Sequence, residues 1–216
     1  MQKVVVRLER RTTSPTSPQP YSHMTTQYTN VLVISSRGKG IPYGGSGVRE
    51  DGGRNYGFQV LKNNPAAIDD LPEANENTPL RMVLEAVNSP DTDLFSVGCL
   101  SAPIQAESKF RRTGYVEFAI NDSTAVADAA KLFPIFFHFD RLLKQQSSTL
   151  QIWFFWELAP ATFVDAGIEG FTCAVTINTG MFATQDEADD AWAQGLALLA
   201  ALLGSVRAPR DGRPIY

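Results

Sequence analysis

Two cysteines and two histidines in 216 residues leave little material for metal or nucleophile chemistry. Cys99 and Cys173 lie far apart and match no zinc-ligand spacing. They read as buried free thiols, because unpaired cysteine behaves as a small hydrophobe. So few cysteines also argue against a secreted, disulfide-dense scaffold. His23 falls in a proline-rich stretch. His138 sits inside "PIFFHFD" and reads as a packed, locally bonded side chain near Asp140. A Gly-x-Ser-x-Gly nucleophile elbow is missing, and so is a Walker phosphate loop. The acids of "DEADD", Asp186 to Asp190, suit the start of a helix better than a metal site. Glu117 and Glu157 fall on strand-like segments and are the residue types of a glycosidase acid and base, but sequence does not set their separation. The expectation is a non-enzyme with no catalytic residue, no metal and no cofactor. Long apolar runs are missing too. "LALLAALL", Leu196 to Leu203, is far shorter than the roughly 20 residues that span a bilayer. The opening "MQKVVVRLERR" has neither the apolar centre nor the cleavage site of a secretory signal. An excess of positive charge is absent as well: 19 Lys and Arg face 23 Asp and Glu, for a net charge of -4. That balance does not demand nucleic acid, yet it leaves room for a local basic patch.

What is present is a core-forming composition. Hydrophobic residues make up 44% of the chain and 13 residues are phenylalanine, enough for one substantial domain. Residues 1–23 read as separate from it. "RRTTSPTSPQPYSH", Arg10 to His23, is too rich in Pro, Ser and Thr to pack a core. Either residues 1–23 form a flexible basic arm, with Lys3, Arg7, Arg10 and Arg11 against Glu9, or Met24 is the natural start. Residues 24–216 read as a single α+β domain.

Tyr28 to Ser35 alternates with period two and predicts a strand. The glycine-dense "SRGKGIPYGGSGVREDGGRNYG" predicts a hairpin or surface loop. "YGFQVLK" predicts a short strand, and "NNPAAIDDLPEANENTP" a surface loop. "LRMVLEAV" alternates Arg81, Val83, Glu85, Val87 against Met82, Leu84, Ala86, which favours a strand over a helix. "DLFSVGCL" predicts another strand, and "KFRRTGYVEFAIN" a turn at Thr113-Gly114 followed by a strand. Asp122 to Lys144 predicts a helical insertion, with Pro134 kinking it or starting a new helix. "TLQIWFFWEL" is apolar on both faces, which marks a central strand. In "FTCAVTIN", Phe171, Cys173, Val175 and Ile177 share one face, and Thr172, Ala174, Thr176 and Asn178 the other. Thr184 and Glu187 then form a capping box. The helix that follows presents Trp192, Leu196, Leu199 and Leu203 and ends near Gly204. Its second half is apolar all round, so more than one surface should cover it. Those four residues are the candidate dimer interface.

"KFRRTGY" combines cations with an aromatic ring, as an RNA-binding sheet does. Lys109, Arg111, Arg112 and Tyr115, with Arg81, are the candidate RNA contacts. Taken alone, the same residues read more readily as a solvated turn.

The pieces "TTQYTNVLVISSRGKG", "VTINTGMFATQDEADDAWAQGLALLA" and the closing "PIY" resemble the coat proteins of single-stranded RNA phages. The matching residues are Phe182-Ala183-Thr184, Glu187 and Ile215-Tyr216. The three pieces together amount to about a quarter of the chain, and the segment Asp122–Lys144 departs from the pattern. The resemblance implies an antiparallel sheet whose C-terminal helices pack on a partner subunit. It also implies a homodimer that assembles into an icosahedral shell, and an inner sheet face that binds single-stranded RNA. Such a protein is a virion component assembled in the host cytoplasm, with no membrane partner. Two other readings stand beside it. One is a small cytosolic α+β enzyme or ligand-binding protein with a pocket near "IWFFWE". The other is a different oligomeric phage structural protein.

Overall fold

The computed structural model describes residues 4–7, 28–45, 47–48, 54–146, 151–207 and 211–216. In chain order the elements are β1 (Val4–Arg7), β2 (Tyr28–Ile34), β3 (Lys39–Ile41), β4 (Gly47–Val48), β5 (Arg54–Asn55), α1 (Pro72–Asn75), α2 (Thr78–Asn88), β6 (Leu94–Ala106), β7 (Lys109–Ile120), α3 (Phe133–Gln145), β8 (Ile152–Phe163), β9 (Ile168–Thr179) and α4 (Gln185–Leu203). A seven-stranded sheet runs β1-β2-β8-β9-β7-β6, with β3 also paired to β8. The fold is α+β, but the sheet is mixed. The β6–β7, β7–β9 and β8–β9 pairs are antiparallel, whereas β2 and β3 run parallel to β8. The glycine-dense stretch carries the small β4–β5 hairpin.

Residues 1–23 are not wholly separate from the domain, because β1 pairs antiparallel with β2 as an edge strand. The proline-rich Arg10 to His23 lies outside the described residues.

The even-numbered residues of β7 and β8 face a helical layer. Val116, Phe118, Phe154, Trp156 and Leu158 are fully buried there with Leu80, Val83, Leu84 and Val87 of α2 and the leucines of α4. α2 corrects the strand expected for "LRMVLEAV". Asn77 caps it by accepting a bond from the Leu80 amide at 2.9 Å, and Pro79 occupies its first turn. The stripe Leu80, Val83, Leu84, Val87 has the helical repeat, which outweighs the chance alternation. Met82 is left exposed. The expected loop before α2 folds instead as 3₁₀ turns and α1, burying Ala67, Ile68, Leu71 and Ala74. "YGFQVLK" forms no strand.

α3 starts at Phe133 with Pro134 in its first turn, as a new helix after two 3₁₀ turns. Phe139 meets Phe154 edge-on at 4.8 Å and tilts against Trp156 at 5.4 Å. The Trp156 indole donates to Asn30 at 2.9 Å, tying β8 to β2 inside the core. His138, expected to be packed, is exposed beside Arg141, because it falls on the outer face of α3. Asp140 is the buried neighbour, and it pairs with Lys144.

β8 is central, as expected. α4 begins with the Thr184–Glu187 capping box. A second, smaller core closes the far end of the other sheet face, where Ile41, Phe95, Val97, Ala119 and Phe163 are covered by Phe58, Ile215 and Tyr216. The segment Asp211–Tyr216 is laced to the chain. Asn121 accepts from the Ile215 and Tyr216 amides, and Asp122 accepts from the Gly212 amide.

Candidate nucleic-acid interface and the neighbouring cavity

Strand alternation decides which predicted residues can act together. On β7, Arg111, Thr113, Tyr115 and Glu117 project from the sheet face opposite the helices. Cross-strand pairing carries that face outward in rows. Thr113 stands beside Asn178 and Trp153, Tyr115 beside Thr176 and Phe155, and Glu117 beside Ala174 and Glu157. The Thr113 hydroxyl and the Asn178 amide oxygen are 2.6 Å apart. Phe155 and Leu100 are exposed large hydrophobics on this face. The surface therefore mixes hydroxyl and amide groups with flat rings, and Lys109 and Arg111 stand exposed at one end.

The five candidate RNA contacts do not form one cluster. Lys109, Arg111 and Tyr115 share the open face. Arg112 points the other way, into the helical layer. It donates to Asp189 of α4 at 2.6 Å and to Ser101 at 3.1 Å, so it fastens helix to sheet. Arg81 lies on α2, paired with Asp69 at 2.7 Å and with Glu85 at 2.9 Å. The expected turn at Thr113-Gly114 is continuous strand, and the hairpin turn falls at Glu107, which has φ 56°. Gly114 serves close approach instead. A Cβ there would sit 2.1 Å from the Leu100 carbonyl oxygen and 2.6 Å from the Trp192 ring.

The candidate dimer residues are also placed elsewhere. Trp192, Leu196, Leu199 and Leu203 are at most 1% exposed within the single chain. The second covering surface that α4 demands is α2 and the sheet of the same chain.

Glu117 and Glu157 occupy one row with Ala174 between them, two strand spacings or about 10 Å apart at the backbone. Glu117 is buried and its carboxylate is taken by Lys39, whose ammonium also lies 5.8 Å from the Tyr43 ring centre.

A cavity of about 360 Å³ wraps the outer edge of β6, and no residue of "IWFFWE" lines it. The glycine-dense stretch forms one wall. Gly57 adopts φ +82° and its Cα packs against the Gly45 backbone, an approach that a side chain would block. This crossing brings Tyr43 and Tyr56 over β6, where the Tyr43 hydroxyl donates to the Val97 carbonyl at 2.9 Å. The sequence offered a signal here, the glycine density itself, but no means of placing it against β6. Burial first, and then the neighbouring acidic groups Tyr115, Glu117, Cys99 and Glu73, push the Tyr43 phenol well above its ordinary pKa. Burial, and then Glu73, push the Cys99 thiol up to about 12. Cys99 and Cys173 are both unpaired thiols. Among the described residues no helix is long and apolar enough to cross a membrane. Comparison with protein-family models, with curated proteins and with solved structures found no match.

Proposed function

We propose that the protein is a shell-forming structural protein of the RNA-phage coat kind, which dimerises and encloses single-stranded RNA. The observation that carries this reading is the two-sidedness of the sheet. One face is sealed by four helices of the same chain. Much of the other presents Thr113, Thr176, Asn178, Tyr115 and Phe155 with Arg111 at its margin, the chemistry that stacks bases and meets phosphates. The dimer contact is assigned to the β6 edge. Among the described residues β6 pairs with β7 alone, and residues 101–106, beyond the part that the glycine-dense segment covers, leave an edge for a second copy. Leu100, exposed beside that edge, adds apolar surface. The resemblance of Phe182-Ala183-Thr184, Glu187 and Ile215-Tyr216 to coat proteins supports the same reading.

Electron microscopy of the purified protein is expected to show closed particles, and the particles should hold nuclease-protected RNA. A monodisperse monomer free of nucleic acid would overturn the proposal. RNA affinity gives a residue-level test. Lys109→Ala with Arg111→Ala is expected to flatten the salt dependence of binding by about 1.4 to 1.8 slope units, because each lost phosphate contact retains its counterion. Arg112→Ala is expected to leave that slope unchanged and to lower stability instead, since it frees Asp189. Equal slopes for wild type and the Lys109/Arg111 variant would remove the open face from RNA binding.

A further inference from the structure

The cavity at the β6 edge is built for a ligand that the shell reading does not require. Its volume lies in the range of small-molecule sites. Leu61, Leu71, Leu84 and Cys99 give it an apolar lining. Tyr43, Tyr56 and Tyr115 bring three aromatic rings to it, and Tyr56, 41% exposed, stands at the rim.

Charge selects the ligand's sign. Among the described residues two charged side chains line the cavity, Lys39 and Glu73. Lys39 is neutralised by Glu117. Glu73, on α1, makes no ion pair among the described residues. Among the described residues Glu73 is thus the one unpaired charge that lines the cavity, and it stands with aromatic faces, which attract cations. The raised pKa values of Tyr43 and Cys99 report the same negative surroundings in addition to burial. A metal ion fits poorly, because the described residues contain no group of three or more His, Cys, Asp or Glu side chains able to hold one. An aliphatic stem on the leucines, ending in an ammonium near Glu73 and the tyrosines, fits on every count.

We propose that the cavity between the glycine-dense segment, α1 and the β6 edge binds an alkylammonium group carried on a linear aliphatic stem. This chemistry belongs both to free diamines and to lysine side chains. The cavity adjoins the surfaces assigned to the dimer and to RNA, since Leu100 and Tyr115 also line it, but its ligand chemistry rests on neither.

The test is isothermal titration of the full chain with putrescine, with Nα-acetyl-lysine amide, and with 1,4-butanediol as the uncharged counterpart. Saturable binding of one or both amines is expected, with the diol at least about tenfold weaker. Tighter putrescine binding identifies a free amine as the ligand, and tighter acetyl-lysine amide binding identifies a protein-borne lysine. Glu73→Gln is expected to weaken amine binding about tenfold, and Tyr56→Ala about threefold or more. Both positions are at least partly exposed, so both variants should fold, and circular dichroism would check this. No amine binding, equal binding of the diol, or unchanged affinity in folded Glu73→Gln protein would overturn the assignment.

Discussion

Leu199→Asp is expected to leave no folded chain. Leu199 is fully buried in the core that α4 shares with α2 and the sheet. The substitution forfeits about 1.5–3 kcal/mol of side-chain burial. It also buries a carboxylate among apolar side chains, a penalty of several kcal/mol more. Together these approach the whole stability of an ordinary domain, about 5–15 kcal/mol. Far-UV circular dichroism of protein refolded from urea should show a largely unfolded chain. Leu199→Met, which nearly conserves volume, should lose less than about 1.5 kcal/mol. A folded Leu199→Asp monomer that had lost only its self-association would place Leu199 at a subunit interface and overturn its position in the core.

Gly114→Ala is expected to lower the unfolding free energy by about 3 kcal/mol or more, an overpacking effect at the upper end of the usual range. Two obstacles act together. The new Cβ would lie 2.1 Å from the Leu100 carbonyl oxygen, which is backbone of the paired strand and cannot rotate away. It would also lie 2.6 Å from the buried Trp192 ring. Urea unfolding would measure the loss. Adding Trp192→Phe should return only the part due to the ring. A loss below about 0.5 kcal/mol would mean that β6, β7 and α4 do not meet this closely.

Legibility from sequence followed the range of the interactions. Strands β8 and β9 were readable because alternation is a local signal and both are long. The capping box of α4 was readable because Thr184 and Glu187 lie within one turn. α2 was missed because Arg81 to Val87 satisfies two periods at once, and the sheet surface that selects the helical one is contributed by other segments. Arg111 and Arg112 read as one basic cluster in sequence, yet the strand sends adjacent residues to opposite faces, and Asp189 claims Arg112 from far along the chain. The same limit applies to α4. Its apolar circumference announced a second covering surface, but not that α2 would supply it. The cavity was hidden for a similar reason: its walls come from the glycine-dense segment, α1, α2, β6 and β7.

The parallel pairing of β2 with β8 bears on how the chain reaches this structure. Asn30 and Trp156, bonded in the core, are 126 positions apart, and Asn121 and Tyr216 are 95 apart. During synthesis β2 emerges early, with only β1 available beside it, and the edge that faces β8 stays unpaired until β8 has been made. The β6–β7 and β8–β9 hairpins close over short loops and can form first, as the nucleus onto which β2 later docks. Closing such long loops before their contacts are rewarded slows folding. The apolar β2 segment Val31-Leu32-Val33 is therefore the part of the nascent chain most in need of protection from aggregation.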